Sequence, residues 1–135
     1  MAMTLLRWGE EHRIGVEALD FEHQTLFRQI SELDQELAEE QDPVRIEDLL
    51  GEIHARMSAH FALEEQFMRE KKYAGYSEHK REHDRFLDEF GEAVARTSAH
   101  AEAGYRNEVR EELRHWIVGH VLSSDKKMSA AAASR

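Results

Sequence analysis

The sequence predicts an all-α fold: an antiparallel up-down-up-down four-helix bundle with an irregular N-terminal arm. Three observations carry this. Apolar residues recur at helical spacing in four stretches of roughly 20 residues, each long enough for a helix of about 30 Å. Short polar or small-residue breaks separate the stretches, as expected between antiparallel neighbours. Alternating Val/Ile/Thr runs are absent, and the 135 residues hold one proline. A single domain over 1–135 is expected, long enough for a real core.

Residues 1–17 contain Trp8, Gly9 and Gly15 and read as the arm, with Trp8, Ile14 and Val16 able to pack it onto the body. The first helix is expected from near Ala18, on a stripe of Leu19, Leu26, Phe27, Ile30, Leu33 and Leu37, with Glu39-Glu40-Gln41 ending it. Asp42-Pro43 is a start signal for the second: Asp can cap the free N–H groups, and Pro suits the first helical position. Its stripe runs through Ile46, Leu49, Leu50, Ile53, Met57, His60, Phe61, Glu64, Phe67 and Met68. Gly75 suits a stop near Tyr73, and Ser77 a cap for the third helix, which carries Tyr76, His79, His83, Phe86, Leu87, Phe90 and Val94. Ser98 to Gly104 is a small-residue break. The fourth helix carries Val109, Leu113, Trp116, Ile117, His120 and Val121; the Ala/Ser-rich tail, 126–135, is expected to be partly frayed.

The formal charge of −10 argues against nucleic acid and anionic membranes as partners. With no cysteine there is no disulfide, thiolate metal site or iron–sulfur cluster. No opening apolar stretch marks a signal peptide and no run approaches a membrane span, so a cytoplasmic protein is expected.

Nine histidines stand in this acidic chain, and five of them, His23, His60, His79, His83 and His120, fall on the apolar stripes. His60 and Glu64 are four apart, as are His79 and His83, so each pair shares a helix face. A lone histidine on such a face is usually a satisfied core residue. Five on four converging faces, with a carboxylate among them, would together cost several kcal/mol if left without partners. A metal centre satisfies them all. His12, His54, His100 and His115 lie off the stripes or in the arm and break, and read as solvated surface.

The set is too large for one structural zinc and too rich in nitrogen for calcium or magnesium. Imidazole with carboxylate suits iron, copper, nickel or zinc. A second carboxylate is needed for charge balance, and Asp125 is the candidate. Five residues turn an ideal helix by about 500°, so Asp125 would point roughly 140° away from His120. The helix is therefore expected to be irregular, or to end, between them. Five imidazoles, two bridging carboxylates and one oxygen bridge would fill all but one position of two six-coordinate metals. One vacancy on a buried redox pair suits a small diatomic ligand.

Four blocks now stand in order: Leu19-Asp20-Phe21-Glu22-His23, H-F-A-L-E-E-Q-F-M from His60, H-K-R-E-H from His79, and W-I-V-G-H-V-L-S-S-D from Trp116. With them the chain, from Trp8 to Asp125, resembles the hemerythrins, in particular single-domain bacteriohemerythrins. The resemblance implies two Fe ions, a non-heme di-iron centre with an oxo or hydroxo bridge, that binds O2 reversibly. It implies that His79, His83 and His120 hold one iron, that His23 and His60 hold the other with its sixth position left for O2, and that Glu64 and Asp125 bridge. The matching O2-pocket positions are Leu26, Phe61, Trp116, Ile117 and Val121; the alternative for these five is ordinary bundle core. Many relatives carry an aromatic residue shortly after the bridging Asp, where this chain has Lys126-Lys127-Met128.

Oxygen storage, or delivery to oxygen-requiring enzymes, by a monomer that is not itself an enzyme is the function this implies. A sensor of O2, NO or redox state is the second reading, and a di-iron oxidoreductase the third. Di-iron enzymes of the ferritin type supply mostly carboxylates, with Glu-x-x-His on two helices. Here that spacing occurs at Glu112 and His115, off the stripe. Five neutral imidazoles stabilise high-valent iron less than carboxylates do, which favours reversible binding. A zinc hydrolase lacks its His-Glu-x-x-His motif and a nucleophile beside a base.

Overall fold

The computed structural model describes residues 9–99 and 103–133. A 3-10 turn, Glu10–His12, leads into α1 (Glu17–Glu39), α2 (Pro43–Glu70), α3 (Tyr76–Ala99) and α4 (Ala103–His120). A π-helical turn, Val121–Asp125, then joins α4 to a short α5, Lys126–Ala133.

The helices run up, down, up and down. His23, early in α1, meets Glu64, late in α2. His83, early in α3, meets His120, at the end of α4. At the opposite end Arg45, early in α2, pairs with Glu36, late in α1, and Arg110 of α4 reaches Asp34 of α1. The stripes turn inward as predicted: Leu26, Phe27, Ile30, Leu37, Leu49, Leu50, Ile53, Met57, Phe61, Phe90, Val109, Leu113 and Ile117 form one apolar cluster, with Leu33, Leu87 and Val94 partly buried against it. Among the described residues no helix is long and apolar enough to cross a membrane.

Local signals mostly hold. Asp42 caps α2, its side chain accepting from the Val44 N–H at 3.0 Å, with Pro43 in the first turn. The α2–α3 turn differs from expectation. Helix α2 stops at Glu70, and the left-handed residue is Lys72, at φ 53°. Gly75 serves closeness instead: a Cβ there would lie 2.7 Å from the Tyr73 ring. Ser77 lies inside α3, which begins one residue earlier.

The tail was expected to be partly frayed and the arm to pack onto the body through Trp8, Ile14 and Val16, of which Trp8 lies outside the described residues. Residues Lys126–Ala133 form a helix rather than a frayed tail. Fully buried Met128 packs with Ile14, Leu19 and Met68. Buried Ser129 donates its hydroxyl to the Ile14 carbonyl. The arm is fastened from the other side by Asp20, whose carboxylate accepts from the N–H groups of Ile14 (2.7 Å) and Gly15 (3.2 Å). Gly15 sits at φ +90°, a conformation that favours glycine. His12, expected at the surface, is buried: its Nδ1 accepts from the Gly9 N–H at 3.0 Å and its ring meets Phe27 edge-on.

A buried candidate metal centre

All five stripe histidines, Glu64 and Asp125 are buried and converge in one place. Helical spacing does most of the work. His60 and Glu64 lie one turn apart on α2, and His79 and His83 one turn apart on α3. His23 projects from the inward stripe of α1. Asp125 arrives by the irregularity that its spacing demands: the π turn follows His120 at once, and in such a turn residues five apart return toward one face. Its carboxylate stands 3.1 Å from the His120 Nε2.

The donors form two groups, and every imidazole faces inward through Nε2. His79, His83 and His120 surround one oxygen of each carboxylate. His83 Nε2 is 2.9 Å from Glu64 Oε1, and His79 Nε2 is 3.1 Å from Asp125 Oδ1. His23 and His60 surround the other oxygens. They lie 2.8 and 3.0 Å from Glu64 Oε2, and His23 Nε2 is 3.1 Å from Asp125 Oδ2. Each carboxylate thus spans the two groups.

The arrangement makes poor sense as hydrogen bonding alone. Glu64 Oε1 and both Asp125 oxygens are buried without a hydrogen bond of proper geometry among the described residues. His120 Nε2 lies 3.1 Å from His83 Nε2 and 3.0 Å from His79 Nε2. Three nitrogens that close and aimed at one point cannot all donate to one another. Donors about 2.1 Å from a shared ion and at right angles lie roughly 3.0 Å apart. Both the orphaned oxygens and the nitrogen spacing therefore fit bound cations.

Without a cation, protons supply the positive charge. Burial opposes charge on His23 and His120, but the adjacent carboxylates of Asp125 and Glu64 outweigh it and push them up to about 9 and about 10. His79 rises for the same reason. Asp125 falls to about 2: burial and the Glu64 charge oppose ionisation, and His120, His23 and His79 overcome them. Glu64 falls well below the usual carboxylate range, with burial again overcome by His60, His120 and His23. Metal uptake must displace such protons.

Around the centre, Phe61 stacks on His83 with ring centroids 3.9 Å apart, and Trp116 stacks on His120 at 4.4 Å. Leu26, Ile117 and Val121 are buried in the main core, Leu26 three residues after His23, and Ile117 and Val121 on either side of His120 along the chain. Of the remaining histidines, His115 is exposed, as expected, while half-buried His54 bonds the Leu87 carbonyl at 3.1 Å. His100 lies outside the described residues. Glu112 is exposed too, so the Glu-x-x-His spacing builds no inward site.

Sequence reasoning missed the carboxylates behind the imidazoles. Glu65 Oε2 lies 2.9 Å from His83 Nδ1, and Glu82 Oε2 3.1 Å from His120 Nδ1. Their adjacency to Glu64 and His83 was the available signal.

Fold and site together define a helical-bundle protein with a buried binuclear metal centre. The model of the hemerythrin HHE cation binding domain matches residues 14–132. The chain is 27% identical to a bacteriohemerythrin of Stenotrophomonas maltophilia, over 92% of this chain and 79% of that one. It is 31% identical to a hemerythrin of Themiste dyscrita, over 89% and 88%. A crystal structure of a hemerythrin point mutant superposes with a TM-score of 0.81 at 25% identity, covering 96% of this chain and 98% of that one. The chain belongs to the hemerythrin family. That family carries a di-iron centre, and the donor set here fits one.

Proposed function

We propose that this protein binds O2 reversibly at its di-iron centre and serves to store oxygen or deliver it to an oxygen-using enzyme. One observation carries the reading: the two oxygens of Glu64 and of Asp125 are divided between a three-imidazole and a two-imidazole group. His79, His83 and His120 would hold one iron, His23 and His60 the other, and the carboxylates would bridge. The group with fewer imidazoles leaves room for an exogenous ligand.

When bound, the irons supply electrons that O2 can take and return. The chain's own residues decide whether that stays reversible. Five neutral imidazoles against two carboxylates keep the anionic charge low, which disfavours high oxidation states. The bridging carboxylates hold the two donor groups at fixed spacing. Leu26, Ile117 and Val121, buried beside ligand positions, exclude water and protons that would convert binding into oxidation. Phe61 and Trp116 lock the imidazoles they stack on.

The test is reversibility. The protein is reduced without oxygen, its iron counted, O2 admitted and then removed while the visible spectrum is followed. Two irons per chain and a colour that comes and goes with O2 support the proposal. Irreversible bleaching or continuing O2 consumption points to an oxidoreductase or redox sensor. Ile117→Ala should keep two irons and oxidise faster in air; an unchanged rate assigns Ile117 to core packing alone.

A further inference from the structure

Among the described residues, the carboxylates outside the donor set are unevenly distributed around His83, His120 and His60. In the three-imidazole group, His83 Nδ1 faces Glu65 at 2.9 Å and His120 Nδ1 faces Glu82 at 3.1 Å. Glu82 is itself held by the Ser124 hydroxyl, which donates to it at 2.6 Å from within the π turn. Glu65 is flanked by Lys80, 3.8 Å away. In the two-imidazole group, His60 Nδ1 is buried without a hydrogen-bond partner among the described residues.

We propose that Glu65 and Glu82 are positioning residues that make the two metal positions inequivalent. Each accepts from an Nδ1–H, which fixes the tautomer so that Nε2 presents its lone pair inward. An anionic acceptor also makes the imidazole a stronger donor to a bound ion. The three-imidazole position is thereby biased toward the higher oxidation state and held more tightly. The two-imidazole position, where His60 has no such support, remains the more easily reduced and released. The inference rests on the ligand assignment proposed above.

Burial ranks the pair. The Glu65 side chain is 13% exposed, behind a wholly buried His83, whereas Glu82 is 38% exposed and screened by water. Glu65 therefore has the larger influence. The π turn gains a second role: it brings Asp125 inward and places Ser124 to steady Glu82.

Glu65→Gln and Glu82→Gln keep an acceptor oxygen but remove the charge; Glu65→Ala removes both. Wild type and variants are loaded with iron, counted and titrated for midpoint potential, and iron retention is read by competition with a chelator. The potential should rise in both Gln variants, more for Glu65→Gln, with two irons retained. Glu65→Ala should also weaken retention of one iron about tenfold, in line with losses when such outer partners are removed. Glu92→Gln, an exposed carboxylate on the same helix as Glu82, controls for net charge and should leave both readouts in place. Unchanged potentials and retention in iron-loaded variants overturn this inference alone. Failure of wild type to take up two irons overturns the ligand assignment beneath it.

Discussion

The two ends of the bundle are built from opposite materials. At one end seven titratable side chains from four helices and the π turn are buried against one another. At the other, Ile30, Leu37, Leu49, Leu50, Ile53, Val109 and Leu113 pack as hydrocarbon. There the buried carboxylate Asp34 is satisfied by Arg110 through bonds of 2.6 and 2.9 Å. The apolar end can hold the helices together whether or not a metal is present. The polar end cannot neutralise itself without protons or cations. Folding and metal binding are therefore served by different parts of one stripe, divided near Met57.

Removing a bridge should break the comparison most visibly. Glu64 is wholly buried, and its two oxygens serve both donor groups. Glu64→Ala should lower bound iron from two per chain to one or none. It should also collapse the difference in Tm between loaded and chelator-treated protein. Iron analysis and thermal unfolding check this; two irons retained would remove Glu64 from the bridge.

A core truncation at the far end should behave in the opposite way. Ile53 is fully buried, so Ile53→Ala should cost about 2–5 kcal/mol of stability, in loaded and metal-free protein alike. Urea unfolding gives the number, and the folded variant should still bind two irons. Loss of iron from the folded variant would mean that the two ends are not separable.

The same division explains what could be foreseen from the sequence. The stripes and their five histidines are periodic, and periodicity survives folding, so helices, core and the convergence of the histidines were legible. Even the π turn was foreshadowed, because His120 and Asp125 cannot share a face of a regular helix. Features that depend on a partner distant in sequence were not legible. α5 looks stripeless until Met128 and Ser129 meet the arm. His12 looks solvated until it meets Phe27. Asp20 shows nothing of its role until the chain doubles back on it at Ile14 and Gly15. Glu65 and Glu82 have the composition of ordinary surface residues; only tertiary contact with an Nδ1 separates them from their neighbours. The left-handed residue in the α2–α3 turn is Lys72, while Gly75 serves close approach of the Tyr73 ring, which the sequence alone does not show.

The smallest effect, and the one that sharpens the contrast between ends, is the pH dependence of the metal-free protein. His23 and His120 are raised to about 9 and about 10. Their stabilisation is complete below the ordinary imidazole value of ~6.5 and is lost as pH climbs through the raised values. Asp125 is lowered to about 2, so its contribution is present above the ordinary carboxylate value of ~3.9 and fades as pH falls toward 2. Metal-free stability should therefore plateau between ~4 and ~6.5 and decline on both sides. On the proposed ligand assignment, metal loading deprotonates the imidazoles, so the alkaline decline attributable to His23 and His120 should vanish in loaded protein. Iron affinity should rise with pH across the same range. Urea midpoints of both forms against pH provide the measurement. An alkaline decline of equal size in both would place its origin outside the histidine cluster and leave the polar end no more pH-sensitive than the apolar one.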